Sequence, residues 1–130
     1  MGVYRGVTQD NVTINGGTLY SVSLAGDVKI PSATVAATGT NQATAAEIAS
    51  GFTLVSAADG TKGVKLPAAA AGLVVIVKNG ENAVLKLYPN TSDAINGLSA
   101  NAALSMAANT SAVLVAYDST TWYSVPLLPS

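Results

Sequence analysis

Seven carboxylates, Asp10, Asp27, Glu47, Asp59, Glu81, Asp93 and Asp118, are the side chains of this sequence best suited to acid, base or metal-ligand chemistry. Histidine and cysteine are both absent, so imidazole-based triads, zinc-finger ligand sets and thiolate nucleophiles have no residues to use. General acid and base work by carboxylates needs two of them placed together. Here they fall singly, each in or beside a turn-forming cluster, where Asp commonly satisfies nearby backbone N–H groups. The most polar such cluster is KLYPNTSDAINGL, Lys86 to Leu98, with Asp93 as its one carboxylate. Its residue types read as a connection: Pro89 ends a strand, Asn90 to Asp93 turn, and Asn96 and Gly97 redirect the chain. Neither NTSDAING nor VTQDNVTING has the spacing of a calcium loop closed by a glutamate. No glycine-rich phosphate cradle is present. The residues therefore nominate no catalytic group, no cofactor and no metal ligand, and the expectation is a noncatalytic protein.

One aromatic pair remains. Trp122 and Tyr123 are consecutive in a strand-like run, so their side chains point to opposite faces. One should be packed and the other exposed or interfacial. An aromatic platform for sugars is the functional alternative to packing.

The elements that must position these groups are bounded by composition. The chain has 130 residues, of which 49% are apolar and only 10% charged, where about 25% charged is usual. One domain of this size has much surface for its volume, so part of the apolar excess should cover a partner. Net charge is −1, and the six Lys and Arg residues are scattered singly, which argues against nucleic acid as a partner. The most apolar run, AAAAGLVVIV from Ala68 to Val77, is half the roughly 20 residues that a spanning helix needs. No membrane partner is expected, and the N-terminus reads as a polar arm with no visible signal peptide.

Short runs rich in Val, Leu, Ile, Thr and Tyr, separated by Gly, Asn, Asp, Ser and Pro, predict an all-β fold. TLYSVSL, Thr18 to Leu24, alternates Tyr20, Val22 and Leu24 with Ser21 and Ser23, the period of a half-buried strand. Ala43 to Ser50 is the one place for a short helical turn. Phe52 to Ala57 and Gly63 to Leu66 predict a hairpin across Asp59 and Gly60, and Leu73 to Lys78 with Ala83 to Tyr88 predict another across Asn79 to Asn82. The same pattern recurs around Ala108 to Ser111 and Asp118 to Thr120. Successive hairpins imply an antiparallel β-sandwich or jelly-roll-like barrel, residues 18–130, behind an arm of residues 1–17. LVVIV and AVLVA are apolar on both faces, as central strands covered on both sides or packed on another subunit would be.

The stretch TKGVKLPAAAAGLVVIVKNGENAVLKLYPNTSDAING, Thr61 to Gly97, resembles a β-rich module of tailed-bacteriophage virion proteins. The likeness lies in an ordered series: Gly63, Val64, Leu66 and Pro67; Gly72; Asn79; Tyr88 and Pro89; Asp93; Ile95 and Asn96. TGTNQATAAEI before it and AANTSAVLVAYDSTTWYSV after it extend the resemblance to residues 38–125.

Such modules occur in capsid decoration (cement or head-fibre) proteins and in tail-associated fibres. A 130-residue chain with a polar arm suits the first. The resemblance then implies a homotrimer on the outer surface of the phage head, bound to the major capsid protein. Its capsid-contact candidates lie in the arm: Val3, Tyr4, Arg5, Val7, Val12 and Ile14. The alternative it implies is a tail-fibre or receptor- and glycan-binding domain using Trp122 or Tyr123.

Overall fold

The computed structural model describes residues 13–126. Ten strands follow in chain order: β1 (Ser32–Ala36), β2 (Ala46–Glu47), β3 (Gly51–Ser56), β4 (Gly63–Lys65), β5 (Val74–Asn79), β6 (Leu85–Tyr88), β7 (Ala94–Ile95), β8 (Leu104–Met106), β9 (Ser111–Ala116) and β10 (Thr121–Val125). The described residues contain no helix, so the fold is all-β. The strands form a six-stranded sheet ordered β1-β3-β5-β9-β10-β7 and a four-stranded sheet ordered β2-β4-β6-β8.

From β1 to β8 the chain changes sheet at every strand. Successive strands of one sheet are therefore two elements apart and run parallel: β1 with β3, β3 with β5, β2 with β4, and β4 with β6. Antiparallel pairing enters with β8 on β6 and with β9 between β5 and β10. Both sheets are thus mixed, which corrects the antiparallel expectation.

Three predicted hairpins are not formed, because β3 and β4, β5 and β6, and β8 and β9 lie in different sheets. The ladder groups of β3 and β4 are taken by parallel neighbours two elements away. Between them the Asp59 carboxylate accepts from the backbone N–H groups of Thr61 and Lys62 at 2.9 and 3.0 Å, a local turn after which the chain enters the other sheet. Only the turn at Asp118 to Thr120 joins hydrogen-bonded neighbours, β9 and β10, as the sequence predicts.

Two local expectations also fail. Thr18 to Leu24 forms no strand and is exposed throughout; its alternation has no neighbouring edge to pair with. The short turn expected over Ala43 to Ser50 lies earlier, with Ala45 N donating to Asn41 O at 3.1 Å and Thr44 N to Asn41 Oδ1 at 3.1 Å, and the chain then enters β2 in place of a helix.

Inward residues of the two sheets merge into one core. Val55, Val75, Val77, Leu114 and Trp122 come from the six-stranded sheet, and Val64, Leu85, Leu87, Leu104 and Met106 from the four-stranded one. Each strand alternates, so its other face points away from this core.

Candidate interaction face

The carboxylates hold the fold's connections. Asp93 is buried, and its Oδ2 accepts from Ala69 N at 2.9 Å. It thus serves backbone at a connection, as turn aspartates do, but from inside the fold. Glu81 Oε1 accepts from Ala57 N at 2.9 Å, and Asp118 Oδ1 from Thr120 N at 2.8 Å. Glu47 pairs with Lys65 at 3.5 Å on the surface. Among the described residues no group of three or more acidic side chains is placed to hold a metal ion.

The residues that carry the family resemblance act as clamps between connections. Tyr88 Oη donates to Thr40 O at 3.0 Å, and Asn90 Nδ2 to Leu66 O at 3.0 Å. Asn96 Nδ2 donates to Ser124 Oγ at 2.8 Å, while Ser124 N donates to Asn96 Oδ1 at 2.9 Å. Asn79, fully buried, donates through Nδ2 to Ala83 O at 2.8 Å and Ala107 O at 3.0 Å, and its Oδ1 accepts from Glu81 N at 3.1 Å. Most of these side-chain groups supply a partner to backbone of the connections. The segment Lys86 to Leu98 is therefore a structural splice.

An apolar surface lies on the outside of the six-stranded sheet. Ladder register aligns Phe52 with Ile76, Ile76 with Val113, and Val113 with Val125. A second row joins Val74, Val115 and Tyr123. Leu54 lies beside Phe52's row, opposite Lys78. Lys78 is the one charged residue among the outward positions of β1, β3, β5, β9 and β10, and its ammonium donates to Asn109 O. The face is thus a continuous apolar surface across four strands.

The outside of the four-stranded sheet has the opposite character. Glu47 and Lys65 pair there, and Lys86 Nζ donates to Ser105 Oγ at 3.0 Å. One outer face is built for water and the other is not.

At the margin of the apolar face, Tyr117 (72% exposed) and Tyr123 (49%) meet edge to face, ring centroids 6.2 Å apart. Trp122 is fully buried against the core, which removes it as a surface platform and leaves Tyr123 as the outward member of the pair. The N-terminal part of the described chain adds a second apolar surface. Leu19, Tyr20, Val22, Leu24, Val28 and Ile30 are all exposed, as is Ile14 at 59%. Val3, Tyr4, Arg5, Val7 and Val12 lie outside the described residues.

Sequence reasoning passes over Phe52, Ile76, Val113 and Tyr117. The signal is present in LVVIV and AVLVA, whose strands are apolar on both faces. Within the chain, Val75, Val77 and Leu114 are fully buried, whereas Val74 is exposed and Val113 and Val115 are half-buried. No family model, curated protein or solved structure matches the chain.

Proposed function

We propose that the chain is a noncatalytic phage capsid decoration (cement) protein. It binds the outer surface of the major capsid protein as a homotrimer and reinforces the assembled head. In fold terms, we read the strand-by-strand alternation between two parallel-paired sheets as a short two-sheet β-solenoid closed by β8, β9 and β10, in place of a jelly roll.

The observation that carries this reading is the division of the surface. One apolar sheet face and an exposed apolar N-terminal segment await partners, while the other sheet face is polar. The resemblance of residues 38–125 to the virion module supplies the class of partner. A protein that binds only assembled capsid stabilises it by mass action. The arm is assigned to the capsid, since a polar segment can gain order on binding.

Mixing purified protein with heads that lack it tests the reading. Saturable co-sedimentation and a higher temperature of head disruption are expected. Heads that bind none of it overturn the proposal.

The exposed Tyr117–Tyr123 pair favours one second reading, a tail-fibre domain that stacks sugars on those rings. Binding to host-cell glycans that is lost in Tyr123→Ala would support that alternative.

A further inference from the structure

We propose that the outer face of the six-stranded sheet is a self-association surface, covered in the working protein by the segment Leu19–Ile30 of a second copy of this chain. This rests on the homotrimer part of the proposed function and names the surfaces that join the copies, in the free protein as well as on the head.

The face and the segment match in chemistry. In its middle the face is lined by Phe52, Ile76, Val113, Val115 and Tyr123, with Lys78 tied down at one side. The segment exposes Tyr20, Val22 and Leu24 at period two, then Val28 and Ile30 at the same period. Ser21 (φ 51°) and Gly26 (φ 104°) bend the segment, so these side chains meet a flat apolar partner as a bent apolar strip and not as one straight edge. A groove of about 310 Å³ between Ser32, Thr34, Phe52 and Leu54 opens on the same face and gives a large side chain somewhere to sit. The polar outside of the four-stranded sheet offers no comparable target.

Area decides that the face alone is not enough. Four strands about 4.8 Å apart and five residues long present roughly 300 Å² of flat surface. A stable interface takes about 800 Å² from each partner. Face-on-face packing falls well short, so further apolar contact has to come from outside the sheet, and the exposed side chains of Leu19–Ile30 are that contact.

Geometry directs the segment outward. Phe52 N donates to Pro31 O at 2.9 Å, which fixes the chain at the β1 edge. Pro31 has a fixed φ and disfavours a helical Ile30, so the chain enters β1 extended. In its own chain the segment is exposed along its whole length, which leaves it to a neighbour. A patch and its ligand on one chain make a head-to-tail contact, which forms a closed ring when the rotation between copies closes.

The absence of cysteine makes the test clean. Purified full-length protein, free of capsids, is expected to sediment at no less than twice the chain mass. Ile76→Glu on the face, or Tyr20→Ser with Val22→Ser in the segment, should each return it to monomer with an unchanged β-sheet spectrum. The segment variant lies outside the core, so it serves if the face variant misfolds. Mixing Val22→Cys with Ile76→Cys under oxidation should give a disulfide-linked pair of chains. A monomeric wild type overturns the proposal, as does a chain carrying both cysteines that links only within itself. Failure to bind heads would leave this result untouched, so the two readings fail separately.

Discussion

Trp122 and Tyr123 are consecutive in β10 and face opposite ways: Trp122 is fully buried beside Ile95 and Ala116, and Tyr123 stands outward opposite Val115. A single peptide bond thus separates the centre of the core from the proposed contact surface. Substitutions at the two positions should separate stability from association.

Trp122→Ala removes the largest core side chain and should cost about 3–5 kcal/mol. Tyr123→Ala should change stability of the isolated chain by no more than about 0.5 kcal/mol while weakening association. Urea unfolding and sedimentation of the same two variants check both halves. Equal losses of stability would contradict the assignment of faces.

Asn79 joins the connection after β5 to the connection after β8 through its side-chain amide. Asn79→Ala leaves the Ala83 and Ala107 carbonyls without that donor and should cost about 1–3 kcal/mol. Asn79→Asp should fare no better, since a carboxylate cannot donate to carbonyls. Denaturant melts give the number.

Gly63 begins β4 with no room for a side chain. A Cβ there would lie 2.3 Å from Lys86 O and 2.7 Å from the Tyr88 ring. Gly63→Ala should therefore force β4 and β6 apart and lower stability by more than about 1 kcal/mol. Gly51 is constrained differently, by a φ of 99° and by Pro31 O, which would stand 2.4 Å from a Cβ at that position. Gly51→Ala should disturb the entry to β1 as well, seen as a lower melting temperature.

Asp59 is held well below the ordinary carboxylate range, first by the Lys62 backbone N–H and then by the Thr61 N–H and hydroxyl. A depressed folded value adds stability that is complete above the unfolded value of about 3.9 and is lost as pH falls from there through the folded value. Wild type and Asp59→Ala should therefore differ most in melting temperature near neutral pH. The gap should narrow below about pH 4. A gap that stays constant into acid would show that the carboxylate's charge is not what matters. Asp118, lowered chiefly by the Thr120 N–H, should behave in the same direction.

Much of the strand content is legible in the sequence. Phe52 to Ala57, Gly63 to Leu66 and Leu73 to Lys78 anticipate β3, β4 and β5 within a residue or two, because period-two runs between turn residues mark strands directly. Pairing is not legible. Asn79 to Asn82 has hairpin chemistry, yet the Asn79 side chain turns inward to Ala107 and the chain crosses to the other sheet. A turn residue's local hydrogen bonds do not say which sheet receives the next strand. Thr18 to Leu24 misleads for the opposite reason: its alternation records a face that needs covering, and an extended segment can carry that pattern without a ladder.

The candidate face is half visible in the same way. Adjacency alone puts Tyr123 and Trp122 on opposite faces, and composition alone raises the expectation of a partner. Phe52, Ile76 and Val113 assemble into one surface only through the parallel and antiparallel register around β5.

The most direct test of the central claim is a cryo-EM map of the phage particle proposed to carry this protein. The account expects density for three copies clustered on the outer surface of the head, with the N-terminal residues, Ile14 among them, lying against capsid subunits. Density on the tail, or none on the particle, would contradict it.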